Sequence, residues 1–440
     1  MRGAQRWLVR EADSLGMRTR SHGRRGLVIE AGQGRECIGV PLHLDVVPPG
    51  EGWRHPPFSG AVVDNQIWGR GAQDNKGPLM AMFHALAALV DSGRPFRRRV
   101  ALLLGCGEEV MAWDDVEFLR DHEGAPTFSI VPDCRFPIVV GEKGYITVQL
   151  DAALTQSASS AVSLRSLASG DRPNIVPDAA EAMLDLSESA PSMDDVHSAA
   201  EAFDRAHADA TIEITWPENS DRTCCVVTRG RRAHASSPQA GRNALVDLLA
   251  FLVEAFGDKL DHSTLSLLRH LHADSADVLG AGWGIKSEHD VMGATTACLS
   301  VMQIESGCVR ALLNVRPVWG LSCDEVLTRM RARVAEWDGV SVKVAKPMRS
   351  FEPYLADTDA VAENLEALEA AWRSVTGTEP ERLSMAGTTY AKVFPRSLGF
   401  GPCWSEQDEA LFHQIDERTT IEAHLRNVRL YAQALSRLAQ

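Results

Sequence analysis

Three short apolar runs along this 440-residue chain each end in side chains able to bind a cation or move a proton. Gly39-Val40-Pro41-Leu42 leads into His43-Leu44-Asp45. Val100-Ala101-Leu102-Leu103-Leu104 leads into Gly105-Cys106-Gly107-Glu108-Glu109, and Phe128-Ser129-Ile130-Val131 into Pro132-Asp133. Runs of this length, rich in Val, Ile and Leu, predict buried strands. Residues 79–90 are apolar and follow Asp74-Asn75-Lys76-Gly77-Pro78, which reads as a helix start with Asp74 as its cap. Strand-like and helix-like stretches alternate up to residue 144, as in an α/β layer structure. Farther on, the pattern predicts an amphipathic helix over 192–210, a strand over 223–228 and a helix over 243–256. It predicts strands over 290–304 and 309–315, a helical stretch over 357–375 and a closing helix over 421–438. The Ala- and Ser-rich stretch 151–171 reads as a linker or exposed edge, and the arginine runs at 97–99 and 229–232 as solvated turns.

Polar residues at the carboxyl ends of buried strands are where open α/β sheets build their sites. A pair of divalent cations about 3.5–4 Å apart needs a bridging carboxylate and terminal ligands on each side. His43 and His413 can each supply a nitrogen, Asp74 can bridge, and Glu109 and Asp133 can complete the two sets. Imidazole and carboxylate together suit zinc, cobalt or manganese. Asp45 lies two residues past His43 and can face the same way, holding the other ring nitrogen. Glu108 is left beside Glu109 without a cation and is the natural base for a water. Taken singly, each feature has a plainer explanation: a hydrogen-bonded His-x-Asp pair, a solvated strand end, a helix cap. The joint pattern points to a two-metal hydrolase.

Composition narrows the field. Hydrophobic residues make up 45% and charged residues 24%, ordinary for a soluble globular chain. The net charge of −14 argues against a nucleic-acid binder, which carries a basic face. No run of about 18 apolar residues predicts a membrane span. The first residues, Met1-Arg2-Gly3-Ala4-Gln5-Arg6, carry no apolar signal core. Nine cysteines without a Cys-x-x-Cys spacing suggest neither a zinc finger nor a disulfide framework, so a cytoplasmic protein is expected.

The stretch His43-Leu44-Asp45-Val46-Val47-Pro48-Pro49-Gly50, then Gly52-Trp53, Pro57-Phe58-Ser59-Gly60 and Trp68-Gly69-Arg70-Gly71-Ala72-Gln73-Asp74-Asn75-Lys76-Gly77-Pro78, resembles the co-catalytic zinc metallopeptidases. That family includes acetylornithine deacetylase, succinyl-diaminopimelate desuccinylase, glutamate carboxypeptidase and carnosinase-like dipeptidases. The branch this chain most resembles is the bacterial PepV-type dipeptidases. The likeness continues at Gly141-Glu142-Lys143-Gly144, Arg172-Pro173-Asn174-Ile175-Val176-Pro177-Asp178, Ala233-His234-Ala235-Ser236, Asn314-Val315-Arg316 and His413-Gln414-Ile415-Asp416-Glu417. It departs at Ala386-Gly387-Thr388-Thr389-Tyr390, where the family commonly has Gly-Gly-Gly-Thr-Tyr, and at Ile415-Asp416-Glu417, usually Ala-Asn-Glu.

The resemblance implies an α/β zinc-peptidase catalytic domain, a mixed central sheet flanked by helices, formed by residues 1–144 and 347–440. Residues 145–346 would be an inserted α+β lid of the long kind, working on its own chain's site, so a monomer is favoured. It implies two divalent ions, zinc first, with His43, Asp74, Glu109, Asp133 and His413 as ligands and a cis peptide at Asp74–Asn75. Glu108 and Asp45 take catalytic roles, and His234 stabilises the oxyanion. Asn174, Arg316 and Gly387 contact the substrate, with Arg316 pairing its carboxylate. The implied function is a metal-dependent amidohydrolase, a dipeptidase acting on a small substrate, with no nucleic-acid or membrane partner. The alternatives are an N-acyl-amino-acid deacylase or pathway-dedicated amidohydrolase, and a non-catalytic binding protein on a peptidase scaffold.

Overall fold

The computed structural model describes residues 2–155, 160–207, 210–217 and 222–440. Two compact units emerge, Met1–Glu142 with Tyr354–Gln440, and Lys143–Pro353. The sequence placed the second boundary at 346/347, seven residues early. Residues up to Pro353 stay with the second unit because Phe351 bridges Tyr145 and the Glu352 carboxylate accepts the Cys323 amide. Tyr354 and Leu355 then pair with Glu142 and Gly141 and return to the first unit.

The first unit is built on a nine-stranded mixed sheet. Its centre runs Arg99–Gly105, Cys37–His43, Phe128–Val131 and Ser397–Gly399, neighbouring strands being parallel. Antiparallel strands flank this centre, Leu27–Ala31 beside Arg99–Gly105 and Ile138–Glu142 beside Ser397–Gly399. Cys37–His43 and Phe128–Val131 are buried along their whole length. Parallel strands covered on both faces read as unbroken apolar runs, which is why these elements stood out in the sequence. The helix Lys76–Asp91 contributes Leu79, Met82 and Leu86 to the core, and Ile421–Leu438 contributes Leu430, Leu435 and Leu438. Thr420 caps the closing helix, its hydroxyl accepting from the Ala423 amide at 3.0 Å. The predicted stretch 357–375 forms a helix at Ala362–Thr376.

The second unit has an eight-stranded sheet with antiparallel neighbours throughout. Its order is Thr211–Thr215, Thr223–Arg229, Ala179–Leu186, Val162–Ser169, Thr296–Glu305, Cys308–Arg316, Ile146–Ala153 and Ser341–Val344. Its core is separate, with Leu164, Leu184 and Val226 from the sheet and Leu245, Leu248 and Leu252 from the helix Ala244–Phe256. That helix starts where the Asn243 side chain accepts from the amides of Leu245 and Val246. The amphipathic stretch 192–210 forms the helix Met193–Ala206, opened by a reciprocal Ser192–Asp195 capping box.

Two expectations change. The stretch 151–171 is not a linker: it holds the end of Ile146–Ala153 and all of Val162–Ser169, which sends Val162 and Leu164 into the core and, past a register shift before Ser166, Leu167 as well. The strand expected over 290–304 begins only at Thr296; ahead of it Glu288–His289 and Gly293–Ala294 form a small hairpin, whose turn over 290–292 leads into Gly293 at φ +68°. Residues 156–159 and 208–209, within the stretches 151–171 and 192–210, lie outside the described residues. Among the described residues no helix is long and apolar enough to cross a membrane.

Candidate metal centre

The central strands of the first unit lie parallel, with His43 opposite Gly105 and Phe128 opposite Ile38. Their carboxyl ends therefore meet at one edge of the sheet. His43 closes one strand, the loop bearing Glu108 and Glu109 leaves the second, and Asp133 follows the third by two residues. Asp74 sits at the end of the loop before Lys76–Asp91, and its peptide bond to Asn75 is cis. The plainer alternative for Asp74, a helix cap, does not arise: Asn75 is the cap residue, without a side-chain cap bond. His413 follows the short helix Glu406–Glu409 and adopts the left-handed conformation, φ +63°.

These residues converge on Asp74. Its Oδ1 lies 2.9 Å from His43 Nε2 and its Oδ2 lies 3.0 Å from His413 Nε2. His413 Nε2 is also 3.0 Å from Glu109 Oε2, and His43 Nε2 is 3.8 Å from Asp133 Oδ2. Ligand atoms of His43, Asp74 and Glu109 all lie within 4.8 Å of one another, and so do those of His43, Glu108 and Asp133. The seven sequence candidates of this unit that bear imidazole or carboxylate thus come together.

Asp45 behaves differently from the expectation. The acceptor nearest His43 Nδ1 is the Asp45 carbonyl oxygen, at 3.1 Å, whereas its carboxylate stands at 3.6 Å, beyond a good hydrogen bond. The carboxylate instead accepts from the Glu109 amide at 3.0 Å, so it orients the ligand loop as much as the imidazole. Asn75, to which the sequence assigned no role, donates to the Pro132 carbonyl at 2.8 Å and to Asp133 Oδ1 at 3.2 Å. Nothing in a lone asparagine beside a helix start signals that bond.

The electrostatics call for positive charge. Burial would raise the Asp74 carboxyl, but the bonds from His413 and His43 hold it well below the usual range. Burial and the Asp74 charge push Asp133 up to about 7. Burial and Asp133 likewise push Glu108 well up. His43 is raised despite burial because Asp45 and Asp74 face it, and His413 is pushed up to about 10 by Asp74 and Glu109, again against burial. Crowded carboxylates favour cationic partners, and bound divalent ions answer that need with more charge than imidazolium can. Among the described residues Glu109 Oε1 is buried and has no hydrogen-bond partner, a lone pair suited to a cation. The set of two imidazoles and clustered carboxylates fits zinc, cobalt or manganese.

Gly387 lies in the loop after Arg382–Met385, and a Cβ there would come within 2.4 Å of the Met385 methyl. Two positions on, the Thr389 amide donates to Glu142 at 3.0 Å. In the second unit, Ile175 and Val176 pair with His234 and Ala233, and the Ala235 amide donates to the Asn174 carbonyl at 2.9 Å. Thr296, paired with Arg316, donates through its hydroxyl to the Ser236 carbonyl. Asn174, His234 and the end of the Arg316 strand are thereby linked at one place in this unit. His234 is exposed, with Nδ1 2.6 Å from the Ser236 hydroxyl. Arg316 is buried, 4.6 Å from the Tyr145 ring, with Nε donating to Asn314 at 2.9 Å.

A family model described as "Peptidase family M20/M25/M40" matches residues 40–437. The Bacillus subtilis protein named "Putative dipeptidase YtjP" is 32% identical over 423 residues, covering 94% of this chain and 85% of its own length. Among solved structures, aminoacylhistidine dipeptidase from Vibrio alginolyticus superposes with a TM-score of 0.57 at 14% identity, covering 99% of this chain and 92% of that one. Human carnosine dipeptidase 1 superposes with a TM-score of 0.53 at 15% identity, covering 98% and 90%. The fold is therefore that of these dipeptidases.

Proposed function

This chain belongs to peptidase family M20/M25/M40 and is a hydrolytic enzyme, and from that premise we propose that it is a two-metal dipeptidase. One observation carries the reading most directly: the two oxygens of Asp74 each meet a different imidazole, 2.9 Å from His43 and 3.0 Å from His413. A carboxylate so placed can serve two cations at once.

In this reading His43 and Asp133 would hold one ion, His413 and Glu109 would hold the other, and Asp74 would serve both. Bound there, the ions supply polarisation of the scissile carbonyl and acidify a water. The residues of the chain do the rest. Glu108, buried beside His43 and Asp133, would take the water proton on its carboxylate and deliver it to the leaving amine. Asp45, through the Glu109 amide and its own carbonyl, keeps both ligands oriented. Lys143–Pro353 is the lid: His234 donates to the developing oxyanion, Arg316 pairs the substrate carboxylate, and Asn174 and Gly387 shape the space around it. The lid serves its own chain's site, and the enzyme works as a monomer in the cytoplasm.

The deciding experiment strips the protein with a chelator, reloads it with zinc, cobalt or manganese, and screens dipeptides against N-acyl amino acids. Dipeptide hydrolysis restored by one of these ions is expected. Hydrolysis of N-acyl amino acids alone would replace the substrate assignment with a deacylase. Arg316→Ala should raise KM about 10- to 100-fold for a substrate with a free carboxylate, the range of a lost charge-assisted bond, and barely for its amide. Equal losses would remove Arg316 from carboxylate recognition. Mixing inactive Glu108→Gln with inactive His234→Ala should recover no activity. Recovery would show a lid acting on a partner's site.

A further inference from the structure

We infer that Glu417, with its partner Arg70, is the positioning residue that sets Asp74 and His413, the two candidate cation ligands that do not follow a central strand, against each other. The inference rests on the metal-site reading above. Glu417 and Arg70 are both buried, and their side chains pair at 2.7 Å across 347 positions of sequence. A buried ion pair alone contributes little net stability, and apolar residues often replace it without loss. What this pair touches argues for a more specific task.

One Glu417 oxygen, Oε1, accepts three backbone amides of a single turn: Gly71 at 3.1 Å, Gln73 at 2.8 Å and Asp74 itself at 3.1 Å. The other, Oε2, accepts from Arg70 and Gly71. A carboxylate can take this many bonds, because it offers about four acceptor sites and no donor. The turn is wrapped around the acid and cannot shift without breaking bonds to a buried charge.

Arg70 carries the constraint to the other ligand. Its Nη2 donates to the His413 carbonyl at 3.3 Å and its Nη1 to the Gln414 carbonyl at 3.0 Å. Its Nη2 also reaches the Pro49 carbonyl at 3.3 Å, in the loop after His43. The guanidinium fork thus spans the segments that leave both histidines, as a planar group with five donors can and a lysine cannot. Neither Glu417 nor Arg70 is placed as a ligand; both act through backbone on groups that are. Partners of this kind typically account for about 10- to 100-fold in metal affinity.

The test uses the full chain, stripped of metal and titrated with cobalt, read by calorimetry and by the visible absorption of the bound ion. Glu417→Gln must turn an amide donor toward either the three N–H groups or Arg70. Cobalt affinity is expected to fall about 10- to 100-fold and the absorption spectrum to change, with far-ultraviolet circular dichroism retained. Leu435→Ala, a core truncation in the same unit, controls for general destabilisation and should leave affinity and spectrum unchanged. If Glu417→Gln fails to fold, Arg70→Lys decides: it keeps the charge but loses the fork, and should lower cobalt affinity with a smaller spectral change. Wild-type affinity and spectrum in a folded variant would overturn the inference while leaving the metal-site reading intact. Wild-type protein that binds no cobalt, or binds it as well after His413→Ala, would overturn that reading and the inference with it.

Discussion

The two histidines of the candidate centre are held in opposite ways. His43 ends a central strand and is 1% exposed; the parallel ladder fixes its backbone and the core fixes its ring. His413 lies on a loop, its side chain 49% exposed and its backbone in the left-handed region. One ligand is placed by the fold itself, the other by a few long-range bonds to a loop. A site assembled this way has a rigid side and an adjustable side, and substitutions should separate them.

The largest expected effect lies between the two sides. Glu108 and Glu109 are neighbours in sequence, but Glu109 contacts His413 while Glu108 lies with His43 and Asp133. If Glu108 is a base and not a ligand, Glu108→Gln should lower turnover by about 10²- to 10⁴-fold and keep both metals. Elemental analysis and activity on one sample check this. Loss of a metal would move Glu108 into the ligand set of the rigid side.

Next come the histidines themselves, compared without metal. His43→Ala leaves a cavity and strips a buried carboxylate of a partner, a change that typically costs about 3–5 kcal/mol. His413→Ala also takes a partner from Asp74 and Glu109, but its half-exposed position leaves no buried cavity and admits water to both carboxylates, so it should cost clearly less than His43→Ala. Urea unfolding in the presence of chelator measures both. Equal losses would mean that the loop is as much part of the folded framework as the strand.

How far the sequence revealed this contrast depends on distance along the chain. Strand-end ligands are easy to read, because an apolar run and the polar residue after it are contiguous, as at His43 and Asp133. The part played by Asp45 was read only partly: a two-residue offset gives a direction, but not that the backbone carbonyl reaches the ring first. Arg70 and Glu417 stood in recognisable motifs, yet nothing in sequence joins residues so far apart. In the second unit, Ala179-Ala180-Glu181-Ala182-Met183-Leu184-Asp185-Leu186 has a helix-favouring composition and is nevertheless a strand. Its neighbours on both edges impose that state, since strand preference is largely set by the surface a segment packs into.

Metal should strengthen the adjustable side more than the rigid one. A ligand present at about 100 times its Kd stabilises the folded state by about 2.7 kcal/mol per site. Thermal unfolding with and without zinc should show such a gain in the wild type. If His413 and Glu109 hold one ion, His413→Ala should lose most of the gain from that ion. A full gain in that variant would show that His413 is not a ligand.

The smallest effect is expected at the outer face of the same loop. Asp416 Oδ1 accepts from the Arg54 amide at 2.9 Å, and the Arg54 side chain reaches Asp416 Oδ2 at 3.2 Å. The Arg54 side chain is 75% exposed, so water screens the pair and competes for both partners. Exposed pairs of this kind contribute about 0.2–1 kcal/mol. Arg54→Ala removes the ion pair but keeps the backbone bond to Asp416. It should therefore change cobalt affinity by no more than a few-fold and leave the absorption spectrum unaltered, measured beside Glu417→Gln. If the loop were held mainly from outside, Arg54→Ala would match Glu417→Gln. A ranking with the buried acid far ahead would show that the half-exposed histidine is set from beneath, through the carbonyl that Arg70 grips and the turn that Glu417 anchors.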